Sequence, residues 1–273
     1  MSDYLNSLTI ETNAKTPVSK VYTYRNFRFS VLTDKLLRVE INDSEIFCDE
    51  PTQSVINRNF NSPQFCVKNI DDIITIETGS VVFCFDKTRK AIKQITLDDG
   101  RTVTDFKKGN LKGTKRTLDN INGSTRLEDG ILSANGVAVL DDSKSLLLLS
   151  NGKVLPRAHS TEDKYYFAYG YNYREAVRDY FNLTGNPPLI PRFALGNWWS
   201  RYKAYTQNEY TELMNKFISK KIPVTVATID MDWHWVNVVK KFGKGAIDNN
   251  QRNNIFELFY NVIFPGWTGY SWN

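Results

Sequence analysis

From about residue 20 to 171, apolar positions recur with the period of two that a pleated strand with one buried face requires. Leu37, Val39 and Ile41 alternate with Arg38 and Glu40, and Ile74 and Ile76 alternate with Thr75 and Glu77. Residues 81–85 and 137–140 are further short β-rich runs. Asp99-Gly100 separates 92–97 from 101–106, and Asn151-Gly152 separates 146–149 from 154–155. Both dipeptides suit a type I′ hairpin, whose two central residues take positive φ. Many short strands with regular turns predict a β-sandwich over residues 1–171.

The pattern changes at residue 172. Asn172 with Glu175 reads as a capping box, and Ala176, Val177, Tyr180 and Phe181 follow as a helical stripe stopped by Gly185. Pro187, Pro188 and Pro191 then make a stiff connector. Residues 172–191 are therefore expected to be a helix and linker between two domains. Beyond it, the apolar run 193–199 predicts a strand buried on both faces. Thr206 and Glu209 form a second capping box, and Tyr210, Leu213, Met214, Phe217 and Ile218 are spaced as one buried helix face. After Pro223, residues 224–229 predict another buried strand, ending in Asp230-Met231-Asp232-Trp233-His234. Strand, helix, strand implies a parallel crossover. Residues 192–273 are expected to begin a (β/α)8 TIM barrel and to stop after about two strands.

Composition changes this picture little. The chain of 273 residues is 41% hydrophobic and 24% charged, enough for a core. The 13% aromatic share fits both core filling and apolar platforms for sugar rings. A net charge of +5 comes from scattered basic residues. The densest group, from Lys107 to Arg116, is interleaved with Gly and Thr and reads as a solvated loop, so no nucleic-acid partner is expected. Cys48, Cys66 and Cys84 form no CxxC pair; Cys66 and Cys84 read as small core residues in a reducing compartment. With no secretory leader and no apolar run long enough to span a bilayer, the expected location is cytoplasmic, without a membrane.

Chemistry concentrates at the end of the second predicted barrel strand. Carboxylates there sit where a parallel barrel forms its active site, and charges closing an apolar strand are costly unless paired or functional. On a strand, Asp230 and Asp232 would share a face and could enter one pocket. As near neighbours they would approach a sugar from one side, whereas the two acids of a retaining glycosidase flank the scissile bond about 5–5.5 Å apart. A substrate-holding role fits better. His234 stands without a nearby His or Cys partner, so neither a metal nor a cofactor is expected.

The stretch Leu189-Ile190-Pro191-Arg192-Phe193-Ala194-Leu195-Gly196-Asn197-Trp198-Trp199-Ser200-Arg201-Tyr202 resembles the first barrel strand of glycoside hydrolase family 31. Thr228-Ile229-Asp230-Met231-Asp232-Trp233-His234 resembles its second, and the eight residues from Gly266 to Asn273 resemble the stretch that follows. Residues 111–119 and 127–130 are similar to that family's N-terminal β-domain. The resemblance implies a retaining α-glycosidase of the α-glucosidase type. Under it, Asp230 hydrogen-bonds sugar hydroxyls, Met231 lines the same pocket and Tyr202 forms an aromatic wall. Asp129 matches an acid on a loop from the β-domain. Asp232, Arg201, Trp199, His234 and Trp267 are further pocket or supporting residues. The family's nucleophile lies in a motif close to Asp-Met-Asn-Glu, which this sequence lacks, so no catalytic residue is expected in the chain. The implied partners are an α-glucoside oligosaccharide and the remainder of the enzyme, or a second copy. A non-catalytic carbohydrate-binding or regulatory module, or an α-xylosidase or transglycosylase, are the alternatives.

Overall fold

The computed structural model describes residues 11–61, 63–115, 117–159, 161–230 and 232–233. Met231, His234 and Trp267 lie outside the described residues. Two compact units, Met1–Pro187 and Pro188–Asn273, divide the chain.

The first unit contains two five-stranded antiparallel sheets. One has the order β1 (Val21–Tyr24), β2 (Phe27–Val31), β3 (Leu36–Ile41), β12 (Glu162–Phe167), β9 (Ala138–Asp141). The other runs β4 (Cys66–Ile70), β5 (Ile73–Glu77), β6 (Val82–Asp86), β7 (Ala91–Thr96), β8 (Thr102–Val103). A small hairpin pairs β10 (Leu147–Leu148) with β11 (Val154–Leu155). Alternate residues of both large sheets meet in one core, Phe27, Phe29, Leu37 and Val39 from the first and Ile74, Ile76, Phe83 and Phe85 from the second. Phe85 stands edge-on to Phe27 and Phe29, with ring centroids 4.9 and 5.0 Å away.

Both expected hairpins form, but with a different turn. Only the glycine of each dipeptide has positive φ, +82° at Gly100 and +77° at Gly152. Gly100 N–H donates to Leu97 O and Gly152 N–H to Leu149 O, while Leu97 and Leu149 N–H donate to Arg101 O and Lys153 O. This is a three-residue loop ending in a left-handed glycine, not type I′. The preceding side chain selects it: Asp99 Oδ1 accepts from Arg101 N–H, and Asn151 Oδ1 from Lys153 N–H, both at 3.0 Å.

Strand β3 departs from the half-exposed strand expected of it, because all six residues are buried. Leu37, Val39 and Ile41 face the core between the sheets. On the other face, Leu36 joins Tyr165, Phe167 and Leu183 in a second cluster, and Arg38 and Glu40 enter an ionic network. Arg38 holds Asp163 through two bonds of 2.8 Å. Arg28 holds Glu40 at 2.6 and 3.0 Å, and Arg157 bridges Asp142 and Asp163, each at 3.1 Å. The Cys48 carbonyl accepts from Arg28 and Arg38 at 3.0 Å each. Burial opposes ionisation of Asp163, yet Arg38 overrides it and holds the carboxyl at about 2.

Helix α1 (Tyr173–Thr184) closes the second cluster with Ala176, Tyr180 and Leu183. The expected capping box is absent: the Asn172 side chain makes no cap bond, and Glu175 instead pairs with Lys35 at 3.0 Å. Gly185, at φ +90°, ends the helix by donating to Phe181 O. Cys66 is exposed and Cys84 half-buried, so neither is the core residue expected; the outer strand β4 leaves most of its side chains in solvent.

In the second unit, β13 (Trp198–Trp199) and β14 (Val226–Ala227) pair in parallel, with helix α2 (Gln207–Ser219) between them in sequence. The strands are shorter than the apolar runs. Behind Pro191, residues Arg192–Leu195 turn as a 3-10 helix, and Trp198 Nε1 bonds back to Ala194 O at 2.9 Å. Phe193 and Leu195 are consequently exposed. The capping box of α2 forms in full, with Thr206 Oγ1 accepting from Glu209 N–H and the Glu209 carboxylate accepting from Thr206 N–H. Its inward face, Tyr210, Leu213, Met214 and Phe217, is half-buried, while Ile218 is exposed. No helix among the described residues is long and apolar enough to cross a membrane.

Candidate functional site

Parallel pairing brings the ends of β13 and β14 side by side, and the residues just past both ends carry the polar groups. Ser200 follows β13 directly, and Asp230 is the third residue beyond β14. Ser200 Oγ donates to Asp230 Oδ2 at 2.8 Å. This orients one carboxylate oxygen at the C-terminal end of the strand pair.

Asp232 does not continue a strand. Its φ of +64° is left-handed, so the period-two argument that would send both acids to one face does not apply. Asp232 turns to Tyr202: its charge first, then its hydrogen bond with the phenol, push that hydroxyl above its ordinary pKa. Two acid–hydroxyl pairs result, Asp230 with Ser200 and Asp232 with Tyr202.

A cleft of 480 Å³ opens beside Asp230, walled by Ile229, Trp233, Tyr205, Tyr210 and Lys203. That size falls in the range of small-molecule sites, roughly 300–1,000 Å³. Tyr205 and Tyr210 precede and follow the Thr206 cap as N′ and N4, the positions of a hydrophobic staple. Their rings meet edge-on at 5.5 Å. Tyr210 donates its hydroxyl to Thr228 O at 2.7 Å, and the Lys203 ammonium sits 4.8 Å from the Tyr205 centroid.

Trp199, Arg201 and Asp129 do not line this cleft. Trp199 packs edge-on against Phe217 of α2, centroids 4.9 Å apart, so it supports the helix and is not a cleft wall. Arg201 is exposed. Asp129 lies in the first unit on an exposed loop, where a hydrogen bond from Lys112 keeps its carboxyl below the ordinary range. Among the described residues no three His, Cys, Asp or Glu side chains gather as a metal site. Ser200, Lys203, Tyr205 and Tyr210 were not singled out from sequence as site residues. The staple positions around Thr206 were a usable signal for the two tyrosines, whereas Ser200 becomes relevant only once the strands pair.

In parallel β/α barrels active sites form at the C-terminal ends of the strands, and Asp230 stands just past that end of β14. The model of the glycosyl hydrolases family 31 TIM-barrel domain matches residues 187–257. An α-xylosidase of Saccharolobus solfataricus is 35% identical over 109 residues, covering 38% of this chain and 14% of the relative. Alpha-glucosidase 2 of Bacillus thermoamyloliquefaciens is 35% identical over 104 residues, covering 38% of this chain and 12% of the relative. The fold is similar to that of a Flavobacterium johnsoniae family 31 dextranase solved with glucose. The TM-score is 0.52 and the identity 14%, over 89% of this chain and 37% of the other. Over residues 187–257 the chain is similar to glycoside hydrolase family 31, and its matches span small fractions of the curated relatives.

Proposed function

We propose that this chain contributes the N-terminal β-sandwich and the first two barrel strands of a retaining α-glycosidase acting on α-glucosides. Asp230 holds sugar hydroxyls and Tyr202 offers an aromatic wall beside them. The observation that carries this reading is the Asp230 carboxylate, oriented by Ser200 at 2.8 Å and open to a cleft at the C-terminal end of two parallel strands. The named α-glucosidase among the relatives supports the choice of sugar. Hydrolysis itself needs a nucleophile and an acid/base placed at the anomeric carbon. Since the family's nucleophile motif is not in this sequence, the 273-residue chain binds sugar but does not turn it over. Its partners are then an α-glucoside oligosaccharide and the rest of a barrel.

The test is calorimetric titration of the purified chain with methyl α-glucoside, alongside release of p-nitrophenol from its α-glucoside. Binding without turnover is expected. Asp230→Asn, which loses a charge-assisted hydrogen bond of about 1.5–3 kcal/mol, should weaken binding roughly ten- to hundredfold. Turnover that Asp230→Asn or Asp232→Asn abolishes would sink the non-catalytic reading and make those acids catalytic. The α-xylosidase relative favours a second reading; tighter binding of methyl α-xyloside than of methyl α-glucoside would select it.

A further inference from the structure

The first unit holds a cavity that the sugar reading does not use. It measures 230 Å³ and is lined from both five-stranded sheets. Val39 and Ile41 of β3 and Tyr166 of β12 reach it from one sheet, and Phe85 of β6 from the other. All four belong to the shared core, so this part of the lining is apolar. Phe106 stands edge-on to Tyr166 with centroids 5.7 Å apart, which fixes that ring before any ligand arrives. Two local features accompany the space. Cys84 pairs with Gln94 but Phe85 with Ile92, so Lys93 is an extra residue in β7, and such a bulge bends the strand that carries it. Ala91, two residues earlier, lines the cavity with only a methyl group where a longer side chain would fill it.

The more exposed part of the lining is charged. Arg89 and Lys90 come from the β6–β7 hairpin, and Glu162 and Lys164 from β12. Lys164 pairs with Glu162 at 2.6 Å, which neutralises the one acid in the lining, and Lys90 pairs with Asp43 at 2.7 Å. Arg89 is left over: it meets Asp86 only at 3.7 Å, and its guanidinium makes no hydrogen bond to any described residue. A planar fork of donors beside an apolar recess matches a carboxylate carried on a compact apolar body. Volume limits that body, since 230 Å³ falls below the roughly 300–1,000 Å³ of drug-sized sites.

We propose that this cavity binds a small monocarboxylate with an aromatic or branched apolar body, the body against Phe85 and Tyr166 and the carboxylate on Arg89. Every residue involved lies in the first unit, so the proposal does not depend on the Asp230 reading.

The whole chain is titrated with p-fluorobenzoate, followed by fluorine NMR, with p-fluorobenzyl alcohol as the uncharged control. Saturable binding of the acid, about fivefold tighter than that of the alcohol, is expected. Arg89→Ala, at an exposed side chain, should remove that preference by weakening the acid about fivefold and leaving the alcohol unchanged. Ala91→Leu should fill the recess and weaken both probes; Ala91→Val takes its place if circular dichroism shows that the leucine unfolds the sheets. No saturable binding, equal binding of acid and alcohol to the wild type, or acid binding unchanged at either position overturns the proposal.

Discussion

Replacing Asp163 by asparagine keeps the volume of a fully buried side chain and removes its charge. Arg38, itself 1% exposed, would lose the partner it meets through two bonds of 2.8 Å, and Arg157 one contact of 3.1 Å. Against burial, the neighbouring guanidinium groups hold the carboxyl at about 2 rather than the ordinary 3.8, so folding favours its ionised form. Arg38 would keep Glu40 and the Cys48 carbonyl, each at 3.0 Å, so the change should approach but not exceed the cost of removing one partner of a buried pair, about 3–5 kcal/mol. Against a typical domain stability of about 5–15 kcal/mol that is a large share. The double replacement Arg38→Met with Asp163→Leu removes both charges and should cost less than the single change. Urea unfolding followed by far-ultraviolet circular dichroism reads the sheets of the first unit. All six tryptophans fall within Pro188–Asn273, so their emission follows the second unit separately. A loss below about 1 kcal/mol for Asp163→Asn, or a double variant less stable than the single, would refute the reasoning.

The same carboxyl sets an acid limit: its folded pKa lies below the unfolded value, so its contribution is complete above about pH 4 and is lost as pH falls towards about 2. Asp142, raised mainly by burial with Asp163 adding, acts with the opposite sign, losing stability as pH rises above its ordinary range. Urea midpoints should therefore fall between about pH 4 and pH 2 in the wild type and flatten in Asp163→Asn; parallel profiles would disprove the assignment. Thr206→Ala deletes the acceptor for Glu209 N–H and should cost the second unit about 1 kcal/mol. Tryptophan emission during urea unfolding measures it, because Trp199 packs on Phe217 of that helix.

How much was legible in sequence depended on the range of the interaction. Most local devices were read correctly, the Thr206–Glu209 capping box, the Gly185 stop and the two hairpins among them, whereas the Asn172–Glu175 box failed because Glu175 pairs with Lys35 instead. The hairpin turn type was missed because Asp99 and Asn151 hydrogen-bond their own backbone two residues on, which favours a loop that needs positive φ only at the glycine. Arg38 and Glu40 looked like a solvent face because nothing nearby in sequence says otherwise; Asp163, which Arg38 grips through two bonds, lies 125 residues away. The run 193–199 was apolar enough for a buried strand, yet the turn behind Pro191 and the Trp198–Ala194 bond shorten it to two residues. At the site, Asp230 could be singled out from its position after an apolar run. The divergence of Asp232 could not, since it rests on one left-handed backbone angle.

The loop at Asn151-Gly152 also bears on chemical ageing. Asn-Gly peptides deamidate when the glycine nitrogen attacks the asparagine side-chain carbonyl carbon and closes a succinimide ring. Here that nitrogen's hydrogen is bonded to Leu149 O at 2.9 Å, and the side-chain oxygen is engaged by Lys153 N–H. The geometry that closes β10 onto β11 thus withholds the reacting atoms from each other. Aspartate accumulating at position 151 would be a clock for how often this hairpin opens.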